Sequence, residues 1–95
     1  MKVEIDGNFA RIIPYESIDL TTAEEMEAKF LELVENKEIT NLIIDFDQVK
    51  KIDSHGLGKL FLFNKIINEN KGIFKLENVN SEYVIKVFKM LDLEE

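Results

Sequence analysis

The stretch Leu42-Ile43-Ile44-Asp45-Phe46 constrains this chain more than any other. It is short, nearly continuous in apolar residues and bounded by polar ones. That is the pattern of a central strand covered on both faces, whereas a strand with one wet side alternates. A strand covered in this way needs helices packed on its sheet, and the flanking segments supply them. Upstream, Thr22-Ala23-Glu24-Glu25 has the form of a capping box, with Thr22 as N-cap and Glu25 three residues on. Glu24, Glu25 and Glu27 crowd the first turn, where the helix dipole favours negative charge. Met26, Phe30, Leu33 and Val34 recur at i, i+4, i+7 and i+8, so a helix is predicted that ends near Asn36-Lys37.

Downstream, Asp53-Ser54-His55-Gly56-Leu57-Gly58 leads into a second helix starting near Ser54, whose stripe is predicted as Leu57, Leu60, Phe61 and Ile67. Gly72 is read as its stop. Ile73-Phe74-Lys75-Leu76-Glu77 is a further strand, and Asn80 or Ser81 caps a last helix with Val84, Val87, Phe88 and Leu91 on one face. At the start of the chain, Lys2–Asp6 alternates polar and apolar, Asp6-Gly7-Asn8 supplies a turn, and Phe9–Ile13 returns until Pro14 ends the ladder. The predicted order is β-β-α-β-α-β-α. This is a single α/β domain over residues 1–95, with a mixed, mostly parallel sheet, an N-terminal hairpin and helices packed on it.

Composition excludes several functions. The 95 residues carry a net charge of −7, which argues against nucleic acid, since affinity there comes from neutralising phosphates. With no cysteine and one histidine, His55, the chain has no thiolate nucleophile, no sulfur-ligated zinc and no multi-histidine metal site. No apolar run approaches the ~20 residues of a membrane span, and Met1 opens directly on strand-like alternation with no sign of a signal peptide. A cytoplasmic protein that needs no cofactor and no membrane is expected.

Asp53-Ser54-His55 is not read as a catalytic triad. Neighbouring helical residues point roughly 100° apart, and Ile52 occupies the place of the first glycine in a nucleophile elbow. Gly56-Leu57-Gly58 begins a dinucleotide fingerprint, but Phe61 stands where the third glycine belongs. The glycines fit better as a sharp entry into a closely packed helix. Asp19, Asp45, Asp47 and Asp53 all fall at or near strand-to-helix connections and read as caps and turn formers. Ser54 has two readings, an N-cap or an exposed hydroxyl at a helix start where a phosphate is tolerated by the dipole. Leu62, Phe63 and Ile66 project away from the stripe of the second helix, so that side is expected to meet a neighbouring element, a partner or a second copy in a weak homodimer.

The strand Leu42–Phe46, the six-residue connection and Asp53-Ser54-His55-Gly56-Leu57-Gly58 together resemble the signature of the STAS domain, named for sulfate transporters and anti-sigma factor antagonists. Its bacterial regulators commonly carry Asp-Ser-Ser/Thr-Gly-Leu-Gly after a hydrophobic strand. Ile18-Asp19-Leu20-Thr21-Thr22-Ala23-Glu24 is similar to the segment ahead of the family's first helix, and Asn78-Val79-Asn80-Ser81 with its following helix resembles the family's ending. His55 stands where relatives carry the second Ser or Thr, and Glu16-Ser17 replaces the usual Gly-Glu. The resemblance implies a non-enzymatic regulator. Unphosphorylated, it would bind an ATP-dependent anti-sigma factor serine kinase and release a sigma factor. Phosphorylation of Ser54 would switch it off, and a serine phosphatase would reset it. The implied contact surface is Asp19, Asp53, Ser54, His55, Gly56, Leu57, Gly58, Leu62, Phe63 and Ile66. The family also includes modules that are not phosphorylated, used as scaffolds or transporter accessories.

Overall fold

The computed structural model describes residues 1–36 and 38–91. Lys37, at the expected end of the first helix, and residues 92–95 of the expected domain lie outside them. The described elements are β1 (Lys2–Asp6), β2 (Phe9–Ile13), β3 (Glu16–Ile18), α1 (Leu20–Asn36), β4 (Asn41–Asp45), β5 (Val49–Ile52), α2 (Ser54–Glu69), β6 (Phe74–Glu77) and α3 (Glu82–Met90). The expected hairpin is present. β1 and β2 pair antiparallel from Lys2↔Ile13 to Asp6↔Phe9, with Gly7 at φ +63° in the turn, a conformation glycine adopts without steric cost. β2 then pairs with β4, and β4 with β6, both parallel, giving the sheet order β1-β2-β4-β6.

β4 is central, but only one of its faces is sealed. Leu42 and Ile44 are buried with their register partners Ala10, Ile12 and Leu76, while Ile43, Arg11 and Phe9 on the other face are only partly buried. The expectation of cover on both faces is therefore corrected. The run looks continuous because Ile43, half-buried on the open face, is apolar as well; beside it on that face Asp45 is buried by an ionic cluster rather than by a helix, while Phe46 packs on α3. Arg11 Nη1 donates to Asp45 Oδ2 at 2.9 Å and Arg11 Nη2 to Glu77 Oε1 at 2.8 Å, so one guanidinium spans three strands. Asp45 Oδ1 also accepts from the Asp47 amide (2.9 Å) and from Asn78 Nδ2 (3.0 Å). Burial by itself would raise the Asp45 carboxyl. The hydrogen bonds from Asn78, the Asp47 amide and Arg11, with the guanidinium charge, outweigh it and hold the group below its ordinary value.

The sealed face carries the core. α1 contributes Ala23, Met26, Phe30 and Leu33. α2 contributes Gly56, Leu60, Phe63 and Ile67, which differs from the predicted stripe: Phe63 is fully buried against Phe30, ring centroids 4.4 Å apart, while Phe61 is about half exposed. Burying such a ring is worth about 1.5–3 kcal/mol, so α1 and α2 are locked together at this point. α3 seats Val84 and Phe88, the latter edge-on to Phe46 at 5.5 Å, under the Ser81 cap; Leu91, expected on that face, is exposed.

Two short strands were not predicted. β3 and β5 form a separate two-stranded parallel sheet, so the order is β-β-β-α-β-β-α-β-α. Glu16, at the position where the resemblance leads one to expect glycine, enters β3 at φ +60°, beside a register irregularity. Gly72 also has a different role from the one expected. Lys71 takes the left-handed turn at φ +61°, and Gly72 is needed because a Cβ there would lie 1.8 Å from the Thr40 carbonyl oxygen.

Candidate functional site

The small β3–β5 sheet positions the site. Ile18 and Ile52 are register partners at its end, and the Asp53 amide donates to the Ile18 carbonyl at 3.2 Å. Two strand-to-helix junctions are thereby held side by side, each followed by an aspartate. Asp19 Oδ1 accepts from the Thr22 amide at 3.1 Å and the Asp19 carbonyl from the Ala23 amide at 2.7 Å, so α1 starts at Leu20 under an Asp19 cap. The predicted capping box at Thr22 and Glu25 is one turn too late. It loses because β3 ends at Ile18, and its pairing with β5 fixes where the chain must turn.

The second junction follows the same logic. Asp53, in extended backbone geometry, is the N-cap of α2, its Oδ1 accepting from the amides of His55 (2.9 Å) and Gly56 (3.1 Å). The hydrogen bond from the Gly56 amide foremost lowers the Asp53 carboxyl below its ordinary value; desolvation opposes it, and His55's ring and amide add to the lowering. Ser54 is therefore the first residue of the helix, not its cap. It is exposed, and its hydroxyl is not spent on the helix amides. Gly56 is buried, and a Cβ there would sit 2.6 Å from the Ile18 carbonyl oxygen and 2.7–2.8 Å from the Ile18 and Ile52 side chains. Only a glycine lets α2 close on the β3–β5 pair. Two residues on, Gly58 is exposed and a Cβ would meet nothing within 4 Å.

Leu20, Glu24, Ser54, His55, Gly58, Lys59 and Leu62 line a shallow depression of about 340 Å³ between the two helix starts. His55 Nδ1 lies 3.5 Å from Asp53 Oδ2, and Lys59 Nζ bonds Glu27 Oε1 of α1 at 3.0 Å. Of the residues expected at a contact surface, Asp19, Asp53, Ser54, His55 and Gly58 are exposed, and Leu57, Leu62 and Ile66 are partly buried. Gly56 and Phe63 are corrections: Gly56 is buried against Ile18 and Ile52 and Phe63 has no accessible surface, so both belong to the core rather than to a contact surface. Ile66 is accessible but lies apart from Ser54, in a second depression with Val34, Ile39 and Asn70. Leu20, Glu24 and Lys59 were not anticipated. Placing the cap at Asp19 would have found the first two, because i and i+4 of the first turn share a face.

Among the described residues, no group of His, Cys, Asp and Glu side chains could hold a metal ion, and no helix is long and apolar enough to cross a membrane. The arrangement offers an exposed hydroxyl at a rigid helix start, rimmed by carboxylates. It does not bring together a nucleophile, a base and an orienting group from different parts of the fold, as a triad needs.

Comparison with known proteins agrees with this architecture. Two similar solved structures are of the anti-sigma factor antagonist SpoIIAA. The unphosphorylated form is 22% identical with a TM-score of 0.78, covering 94% of this chain and 81% of that one. The phosphorylated form, described as a Bacillus cell fate determinant, is 22% identical with a TM-score of 0.79, covering 97% and 83%. The solution structure of the protein TM1081 is 24% identical with a TM-score of 0.78, covering 96% and 72%. No curated protein matches by sequence. The family model described as the STAS domain matches residues 1–95, and the chain belongs to the STAS domain family.

Proposed function

We propose that this protein is a non-enzymatic, cytoplasmic regulator switched by phosphorylation of Ser54: an anti-sigma factor antagonist that binds an anti-sigma factor serine kinase while Ser54 is free. The observation that carries the reading is that Asp53, not Ser54, caps α2, which leaves the serine hydroxyl exposed on a fixed helix start. Membership of the family and the likeness of fold to both forms of SpoIIAA support it. In the switching step Ser54 Oγ attacks the γ-phosphorus of kinase-bound ATP. ADP leaves, and the hydroxyl proton passes to a base of the kinase. The product adds about −1.5 to −2 charges beside Asp53 and Glu24. A partner surface shaped for a neutral serine would then have to desolvate an unpaired dianion, which is costly. A serine phosphatase restores the neutral form.

The test is incubation with ATP and the candidate kinase, followed by a binding measurement. Ser54→Ala should fold normally, take up no phosphate and still bind; Ser54→Asp should bind at least tenfold more weakly. If both variants bind like the wild type, the switch reading fails, and a constitutive STAS scaffold or transporter-accessory module takes its place.

A further inference from the structure

We propose that Lys59 is the counterion of a phosphorylated Ser54 within this chain, and that it must leave Glu27 to become so, which carries the modification from α2 to α1. The inference rests on Ser54 being the phosphoacceptor. It starts from what the helix start cannot do. A phosphate at a helix N-terminus is ordinarily received by free backbone amides. Here the His55 and Gly56 amides are already taken by the Asp53 carboxylate. The nearest side chains make matters worse for an anion, because Asp53 and Glu24 are both acidic and Asp19 caps the adjacent helix.

Lys59 is the one lysine or arginine lining the depression that Ser54 lines. Its ammonium is held by Glu27 at 3.0 Å, with both side chains about one-third exposed. A partly exposed pair of this kind is weak, roughly 0–1 kcal/mol. A dianion with no other cation within the depression outbids a single carboxylate for a flexible lysine stem. His55 is the only other group there that can carry positive charge, and its ring already faces Asp53. Gly58 lines the same depression and puts no side chain into it.

The experiment installs phosphoserine at position 54 of the full chain and compares it with the unmodified protein. In the unmodified chain, Glu27→Gln should shift the Lys59 ammonium resonance. In the phosphorylated chain the same substitution should leave it in place, and Lys59 should show coupling to phosphorus. A double-mutant cycle on Glu27 and Lys59 gives a second readout. Their coupling should change the folding equilibrium constant by about two- to fivefold before modification and by about onefold after it. An unchanged coupling in the two forms, or phosphorus coupling to His55 with Lys59 still reporting Glu27, would overturn the proposal. Because the phosphate is installed rather than enzymatic, this outcome is separate from whether cells ever modify Ser54.

Discussion

Asp45 and Asp53 end neighbouring stretches of the same fold and do opposite things. Asp45 closes β4 with its carboxylate buried among Arg11, Asn78 and the Asp47 amide, joining three strands on the open face of the sheet. Asp53 follows β5 with its carboxylate half exposed, and its bonds hold a helix start rather than the core. The lesson is that the β4 end is built to be inert and the β5 end to present something. The same contrast recurs within α2. Gly56 is a glycine because no space remains, and Gly58 has space to spare.

The contrast is broken most severely at the two phenylalanines of α2. Phe63→Ala should cost about 3–5 kcal/mol of stability in urea unfolding, because it empties the seat against Phe30. Phe61→Ala should stay within about 0.5 kcal/mol, as its ring is half exposed. Equal costs would place the stripe of α2 elsewhere. Next come the glycines. Gly56→Ala should destabilise by about 1–3 kcal/mol, since its Cβ meets the Ile18 backbone. Gly58→Ala should instead stabilise by about 0.5–1 kcal/mol through helix propensity.

The two aspartates can be separated by pH. Asp45 has its carboxyl lowered in the folded state, so its contribution is fully present above the ordinary carboxylate value of 3.8 and is lost as pH falls through the lower folded value. The urea midpoint should therefore begin to drop as pH falls to about 4 and go on dropping below it. In Asp45→Asn that drop should flatten, at a cost of about 1–3 kcal/mol at pH 7. Asp53→Asn should flatten it less, because Asn retains most of the capping ability and the site is open to solvent.

Much of this architecture was legible in the residues. The hairpin, the Met26–Leu33 face of α1, β4, the Ser81 cap and the family resemblance all rest on local patterns that the fold keeps. What was not legible depended on non-local contact. β3 and β5 have three and four residues, and the β5 pattern Val49-Lys50-Lys51-Ile52 has no alternation to detect. Their pairing nonetheless decides that Asp19, not Thr22, caps α1. The stripe of α2 was misplaced for a related reason. Its first member is Gly56, which is invisible to a search for apolar side chains, and its contact with Ile18 sets the rotation of the whole helix. With that rotation, Phe63 turns inward and Phe61 outward. Around Ser54, the Asp-Ser-His-Gly-Leu-Gly run located the helix start, while Lys59, Glu24 and Leu20 became visible only once α1 and α2 were set side by side.

The central claim is that Ser54 is a phosphate switch, and the most direct measurement is the intact mass of the protein isolated from its native cells, with the modified peptide mapped. The expected result is a fraction of chains carrying one phosphate on Ser54, a fraction that changes with growth or stress conditions. An unmodified chain under all such conditions, or a phosphate mapped to another residue, would contradict it.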